Sequence, residues 1–319
     1  MFFKKTMLWV IMISILISIS SNSWFIYWLT MEMNLMSFIP IMNSYKTKNC
    51  NSMAIYFIIQ SFSSSLFFIS SFQFSLNNSE FFLMIINVSL LIKLAIMPFH
   101  FWLTSISETL SFNTLFLILS LQKIIPLFIL TKFFLKTLII LIVFSTFFSS
   151  LMALNLKLIK KMLIFSSISH QGWMMCLIFK KVNFWILYLV IYMWIIYSII
   201  NLCKKYNMFM LSSTMINKMN YNEKMSFISQ FMSLAGMPPF LGFFMKIMSI
   251  FILMKLSSLF VMILIISSLI NLFFYFKILS PFLFIFSKSS KNNKISFSKT
   301  FLMNMNFMIL IYFMNMLIF

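Results

Sequence analysis

A chain of 319 residues, 62% hydrophobic and 19% aromatic, with 24 basic against 4 acidic residues, is too apolar for a soluble two-domain protein and fits one polytopic membrane domain. Every basic residue is lysine and most lie in short polar connectors, so the charge sets membrane orientation, and neither a nucleic-acid stripe nor an arginine fork for phosphate is present. Three glycines leave no phosphate-cradling loop, and Cys50, Cys176 and Cys203 lack metal-ligand spacing; a Rossmann site, zinc and iron–sulfur ligation are unsupported.

Along the chain, Lys4-Lys5 and the apolar run ending at Ser18-Ile19-Ser20 imitate a secretory signal. The next run starts at Trp24 with no soluble domain behind it, so the first run reads as a retained helix. A transmembrane helix needs about 20 apolar residues. Eleven runs meet or approach that length: 7–20, 24–42, 53–72, 81–101, 112–131, 134–155, 158–179, 183–203, 225–254, 257–280 and 300–318. None shows the alternation of a lipid-facing barrel, and a helix satisfies its own backbone in lipid. The expected fold is therefore all-α: a polytopic membrane protein of about eleven transmembrane helices, some discontinuous, in a single integral membrane domain over 1–319. The ninth run holds Gly236, Pro238, Pro239 and Gly242 in its middle and reads as one broken helix. The polar stretches 206–224 and 287–300 read as solvated loops, the second being a candidate for anionic lipid headgroups through its four lysines.

Eleven crossings place fifteen connector lysines on the N-terminal side and five on the other. That asymmetry puts the N-terminus on the cytoplasm-equivalent face and the C-terminus opposite. The bias toward Phe, Met, Ile, Leu, Ser, Asn and Lys is what A/T-rich codons produce and points to an organelle gene, for which that face is the mitochondrial matrix.

Lys93, Lys123 and Lys246 lie inside spanning runs, each with a proline a few residues away. An ionisable group at mid-membrane depth costs roughly 2.5–3.5 kcal/mol on insertion scales and is usually turned toward a partner or water. Lys123 is roughly 10 Å or more from either end of its run at 1.5 Å per residue, whereas Lys277 stands near a run end and is expected to snorkel. Pro98 and Pro126 withhold the donors that the carbonyls of Leu94 and Gln122 would receive. A lysine one residue from each carbonyl, with water drawn to the gap, makes a site for proton exchange; capping of the broken helices is the alternative reading. Glu32, central in its run, is a candidate counter-charge. His170, flanked by hydroxyls and Gln171, is a candidate relay, with a satisfied interhelical histidine equally open. Glu108, beside His100 and Trp102, reads as a solvated loop acid.

Five blocks in order now carry a resemblance: WLTMEMNLMSFIP over 28–40, KLAIMPFHFW over 93–102, QKIIP over 122–126, KMLIFSSISHQGW over 161–173 and LAGMPPFLGFFMK over 234–246. The chain is similar, over most of its length, to the antiporter-like subunit 2 family of mitochondrial NADH:ubiquinone oxidoreductase, respiratory complex I. The resemblance implies a proton-translocating membrane-arm subunit. Glu32 and Lys93 would be paired charges of one half-channel, Lys123 a central relay beside a broken helix, and Lys246 the terminal lysine beside a second one. It also implies that this chain binds no cofactor, that NADH, FMN, iron–sulfur clusters and ubiquinone belong to other subunits, and that its partners are neighbouring membrane-arm subunits and lipid in the mitochondrial inner membrane, with no nucleic acid. Thr104 and Ser105 stand where the family usually has proline and glutamate, so no role passes to that first acid. A stand-alone cation/proton antiporter and a purely structural subunit are the alternatives.

The topology is open to protease mapping in sealed membranes. The N-terminus and the 206–224 connector should be cut from the same face, and cleavage from opposite faces would reverse the assignment.

Overall fold

The computed structural model describes residues 2–43, 47–209, 219–254 and 258–289. In chain order its helices are α1 Phe2–Ser20, α2 Trp24–Met42, α3 Thr47–Asn77, α4 Glu80–Leu94, α5 Phe101–Ile106, α6 Phe112–Leu119, α7 Leu121–Lys132, α8 Leu138–Ala153, α9 Ile159–Phe179, α10 Phe184–Lys205, α11 Tyr221–Ala235, α12 Leu241–Leu253 and α13 Ser258–Ser289. Ten of the eleven expected spans fall on these helices; the eleventh, 300–318, lies outside the described residues. Among the described residues seven helical stretches are long and apolar enough to cross a membrane, one of them made of α6 and α7 together. The others include the halves of interrupted spans, which is what the apolar runs predict once a break divides them.

Three spans are interrupted, two more than the glycines and prolines of the ninth run alone suggest. In the fourth span, α4 stops at Leu94 because Ala95 turns left-handed at φ 57°. The N–H groups of Ala95 and Ile96 close the helix end on the carbonyls of Ile92 and Leu91 at 3.1 and 3.2 Å. The break therefore comes three residues before Pro98, whose missing N–H could not have bonded the Leu94 carbonyl in a continued helix. In the fifth span the break falls at Ser120, and Pro126 lies inside α7, so the interruption sits before Lys123 and not at the proline. Between α11 and α12 the chain turns at Gly236, φ +80°, a conformation glycine adopts without strain.

Two connector boundaries move. The expected loop 206–224 becomes helical from Tyr221, and residues 210–218 lie outside the described set. The helix of the tenth span continues past 280 to Ser289, taking in the start of the expected loop 287–300, whose remainder also lies outside it.

The chain divides into two compact units, residues 1–145 with 178–182, and residues 146–177 with 183–319. In the first unit α1 packs on α2, α2 on α3, and α3 on α4 and α5, while α7 is flanked by α1, α2, α4 and α6. Ser23 and Ser111 cap α2 and α6 by accepting the N–H groups of Ile26 and Thr114. Trp24 stacks on Phe133 at 3.8 Å and also meets Phe67 and Phe74. In the second unit α11 packs on α10, α12 and α13. Large apolar side chains such as Trp9, Leu16, Phe101, Phe251 and Leu259 face outward. Such an exterior is expected when lipid and neighbouring helices are the solvent.

The α11–α12 crossing is the tightest backbone approach among the described glycines: a Cβ on Gly242 would lie 1.5 Å from the Ser233 carbonyl oxygen. Gly242→Ala must therefore force the two half-helices apart, at a cost of about 2 kcal/mol or more. The expected readout is a lower yield of assembled, detergent-stable protein on native gels; unchanged yield would refute the contact.

Candidate functional site

In the first unit, Lys93 and Lys123 line one small cavity together with Asn34, Tyr56, Gln60 and Gln122. Its volume of about 20 Å³ has room for roughly one water, and its polar lining offers that water partners. Lys123 is buried on the first turn of α7, and its N–H bonds to the Ser120 carbonyl at 3.1 Å across the break. Lys93 is part-exposed on the last turn of α4. The Trp102 indole donates to the Ile92 carbonyl at 3.1 Å and ties α5 against the end of α4 that bears the lysine.

A hydrogen-bonded chain of amides and a phenol frames the cavity. Gln122 donates from Nε2 to Asn34 Oδ1 at 2.9 Å, and its Oε1 accepts from the Tyr56 hydroxyl at 3.3 Å, joining α7 to α2 and α3. Phe38 and Trp102 pack against Tyr56 at 5.2 and 5.9 Å and hold the phenol in place.

Glu32, half-buried on α2, accepts a hydrogen bond from Ser64 of α3. No hydrogen bond or ion pair joins it to Lys93 among the described residues; the carboxylate is held by that hydroxyl. Glu108 is exposed. Lys277 is exposed on α13.

In the second unit, Lys246 is buried on α12 and donates to the carbonyl of Ala235, the last residue of α11, at 2.6 Å. Its stem lies against Gly236, where an added Cβ would come within 2.7 Å of Cδ and 2.9 Å of Nζ. The lysine thus supplies the donor that the interrupted helix lacks at its C-terminus.

His170 is fully buried on α9, its Nδ1 2.8 Å from the Tyr188 hydroxyl of α10 and its ring centred 5.1 Å from that of Tyr192. One residue away, Ser169 accepts from Asn271 of α13 at 2.9 Å. The histidine therefore belongs to a polar cluster spanning three helices. Its neighbours Tyr188, Tyr192 and Asn271 were not picked out by the sequence reading, and neither were Asn34, Tyr56, Gln60 and Ser64 in the first unit. Asn34, Gln60 and Asn271 carry a signal that could have found them: each is a lone amide within an apolar run, where an unsatisfied polar group is costly.

Comparison with known proteins agrees with this architecture. Residues 21–271 match the family model described as NADH:quinone oxidoreductase/Mrp antiporter, TM. The chain is 58% identical over 309 residues to NADH-ubiquinone oxidoreductase chain 2 of Rhipicephalus sanguineus, covering 97% of this chain and 99% of that one. It is 37% identical over 287 residues to the protein of the same name from Artemia franciscana, covering 88% and 91%. Among solved structures, a chain of respiratory complex I from Thermus thermophilus superposes with a TM-score of 0.79 at 15% identity, covering 97% of this chain and 77% of that one. A chain of the Mrp complex from Dietzia sp. DQ12-45-1b gives 0.78 at 16% identity, covering 86% and 59%. With most of its length inside the family model and close relatives matched end to end, the chain belongs to the NADH:quinone oxidoreductase/Mrp antiporter transmembrane family, among the NADH-ubiquinone oxidoreductase chain 2 proteins.

Proposed function

We propose that this chain is a membrane-arm subunit of respiratory complex I that moves protons across the mitochondrial inner membrane, its N-terminus in the matrix, while other subunits oxidise NADH and reduce ubiquinone. The whole chain, 1–319, acts as one integral membrane module alongside neighbouring antiporter-like subunits. NADH, FMN, iron–sulfur clusters and ubiquinone are assigned to those other subunits.

The observation that carries this reading is the pair of lysines on one polar cavity, with a carboxylate, Glu32, on the adjoining helix α2. Two ammonium groups facing the same low-dielectric space repel, so a proton gained at Lys93 disfavours one at Lys123, and the reverse. In this scheme Glu32 serves as the counter-charge for Lys93. A change that weakens this influence would release Lys93's hold and let charge pass toward Lys123, with one water and the Gln122 amide as the connecting polar groups. Lys246 serves the second unit in the same way: the Ala235 carbonyl stabilises its ammonium, and loss of the proton frees the lone pair to accept another. His170 with Tyr188 forms a candidate relay, since an imidazole can donate at one nitrogen and accept at the other.

A second reading is a stand-alone cation/proton antiporter, which the mention of Mrp antiporters in the family description favours. Purification decides between them: the first reading requires the chain to travel with a large NADH-oxidising assembly, the second an isolated transporter.

In that assembly, Lys123→Gln should lower proton-coupled turnover about tenfold or more, the scale expected for a positioned proton-transfer group, whereas Lys277→Gln should be nearly silent. Equal turnover for both would remove Lys123 from the path. Glu32→Gln and Lys93→Met should each impair turnover, and the double variant should cost less than the sum of the two, because interacting charges are not independent. A strictly additive cycle would leave Glu32 with a separate role.

A further inference from the structure

In the second unit, α10 and α11 leave a groove of about 250 Å³ between them, open along one side and mostly apolar in its surface. Trp194, Tyr197, Asn201 and Leu202 of α10 form one wall, and Ser226 and Gln230 of α11 lie opposite. Tyr197 and Asn201 are exposed, so whatever covers this face in a membrane meets a phenol and an amide as well as hydrocarbon.

The depth of the groove follows from the length of α10. Its 22 residues rise about 33 Å at 1.5 Å per residue, against a hydrocarbon core of about 30 Å. Its last residues, Lys204 and Lys205, therefore stand at the level of the lipid headgroups. Trp194 lies about 16 Å deeper along the helix, near the midplane, so the groove runs the depth of one leaflet. Asn201 is one turn inside Lys205, where the glycerol esters of a lipid lie. Trp194, Tyr197, Asn201 and then Lys204 with Lys205 follow one another at steps of three or four residues, along a single face of the helix.

Charge at the headgroup end selects the occupant. Lys205 donates to Glu223 near the start of α11, which also accepts from Tyr206, and Lys204 is exposed beside it. Two lysines against one carboxylate leave a positive excess there. An ammonium carries three N–H donors, so Lys205 has donors beyond the one given to Glu223. A transmembrane helix is roughly 10–12 Å across with its side chains and does not enter a groove of this volume, whereas a single hydrocarbon chain does. Water gains little on a mostly apolar surface that opens toward lipid.

We propose that the α10–α11 groove is a binding site for one anionic phospholipid, its phosphate on Lys204 and Lys205, its ester region at Asn201 and one acyl chain along Trp194, Tyr197 and Leu202. The site is separate from the lysines inside the spans and does not depend on their role. It covers the flank of α11, the half-helix that ends at the Gly236 turn, with a lipid held at both its charged and its apolar end.

The test uses the purified, assembled complex reconstituted with a phosphatidylglycerol that carries a photoactivatable diazirine in one acyl chain, the adducts being mapped by mass spectrometry. Labelling should concentrate on Trp194, Tyr197 and Leu202, above the level at Phe251 and Leu259, which face outward elsewhere on the unit. Lys204→Gln, which leaves the Lys205–Glu223 pair in place, should lower labelling of the groove, and Lys204→Gln with Lys205→Gln should lower it several-fold. A diazirine diacylglycerol, which has the chains without the phosphate, should label the groove weakly and equally in all three proteins. Ser198→Phe, which fills the groove without changing its charge, should remove the phosphatidylglycerol adducts while assembly is normal. Labelling equal to that at Phe251 and Leu259 and indifferent to the lysines would mean bulk lipid only and would overturn the proposal. An unlabelled groove beside labelled Phe251 and Leu259 would mean that protein covers this face, and would overturn it equally.

Discussion

A helix interrupted inside hydrocarbon exposes carbonyls that water does not reach, and each must find a donor within the protein. This chain meets that constraint three times, by three different means. At Ala95 the backbone folds back on Leu91 and Ile92, and an indole adds a second donor to Ile92. At Ser120 the hydroxyl bonds to the Phe116 carbonyl at 2.6 Å while the Lys123 N–H takes the Ser120 carbonyl. At Ala235 a lysine side chain from the following half-helix does the work. A lysine stands beside every one of these breaks, so the feature that disrupts regular structure and the feature that carries charge are held in place together.

The abundant serines obey a different logic. Ser14, Ser63, Ser89, Ser167, Ser233 and Ser249 are buried, and each donates to the carbonyl three residues earlier in its own helix. They are satisfied within their own helices, Ser167 also meeting Tyr192 of the next helix. Longer polar side chains can reach further, and Gln122, Asn34, Asn271 and His170 bond across helices and fix how those helices meet.

Much of the architecture could be read from the residues because lipid removes alternatives: an apolar run of sufficient length has little choice but a helix, and α2 falls on Trp24–Met42 as read. The breaks were harder. Gly236 and the prolines after it announce theirs, since left-handed turns and missing donors are local properties. The break at Ser120 has no such marker, and Pro126, which looked responsible, is accommodated within α7. At Ala95 a non-glycine residue takes the left-handed turn, which its residue type does not announce. The lysines of the site stood out as charges inside apolar runs, but their surroundings did not, because which serine meets Glu32, or which phenol meets Gln122, depends on the register between helices far apart in sequence.

The packing of Lys246 over Gly236 has a consequence for how substitutions at that turn should be understood. The atoms that a new methyl group would strike are the far end of a flexible side chain, not backbone. Alanine at 236 would meet only the modest strain of a left-handed residue, about 1–2 kcal/mol, and the lysine could swing aside to make room. What is surrendered is the seat of the ammonium on the Ala235 carbonyl. A change that looks like a minor defect in a turn would thus leave the helices standing and dislodge an ion, so harmful variation at this glycine belongs with lesions of charge handling and not of folding.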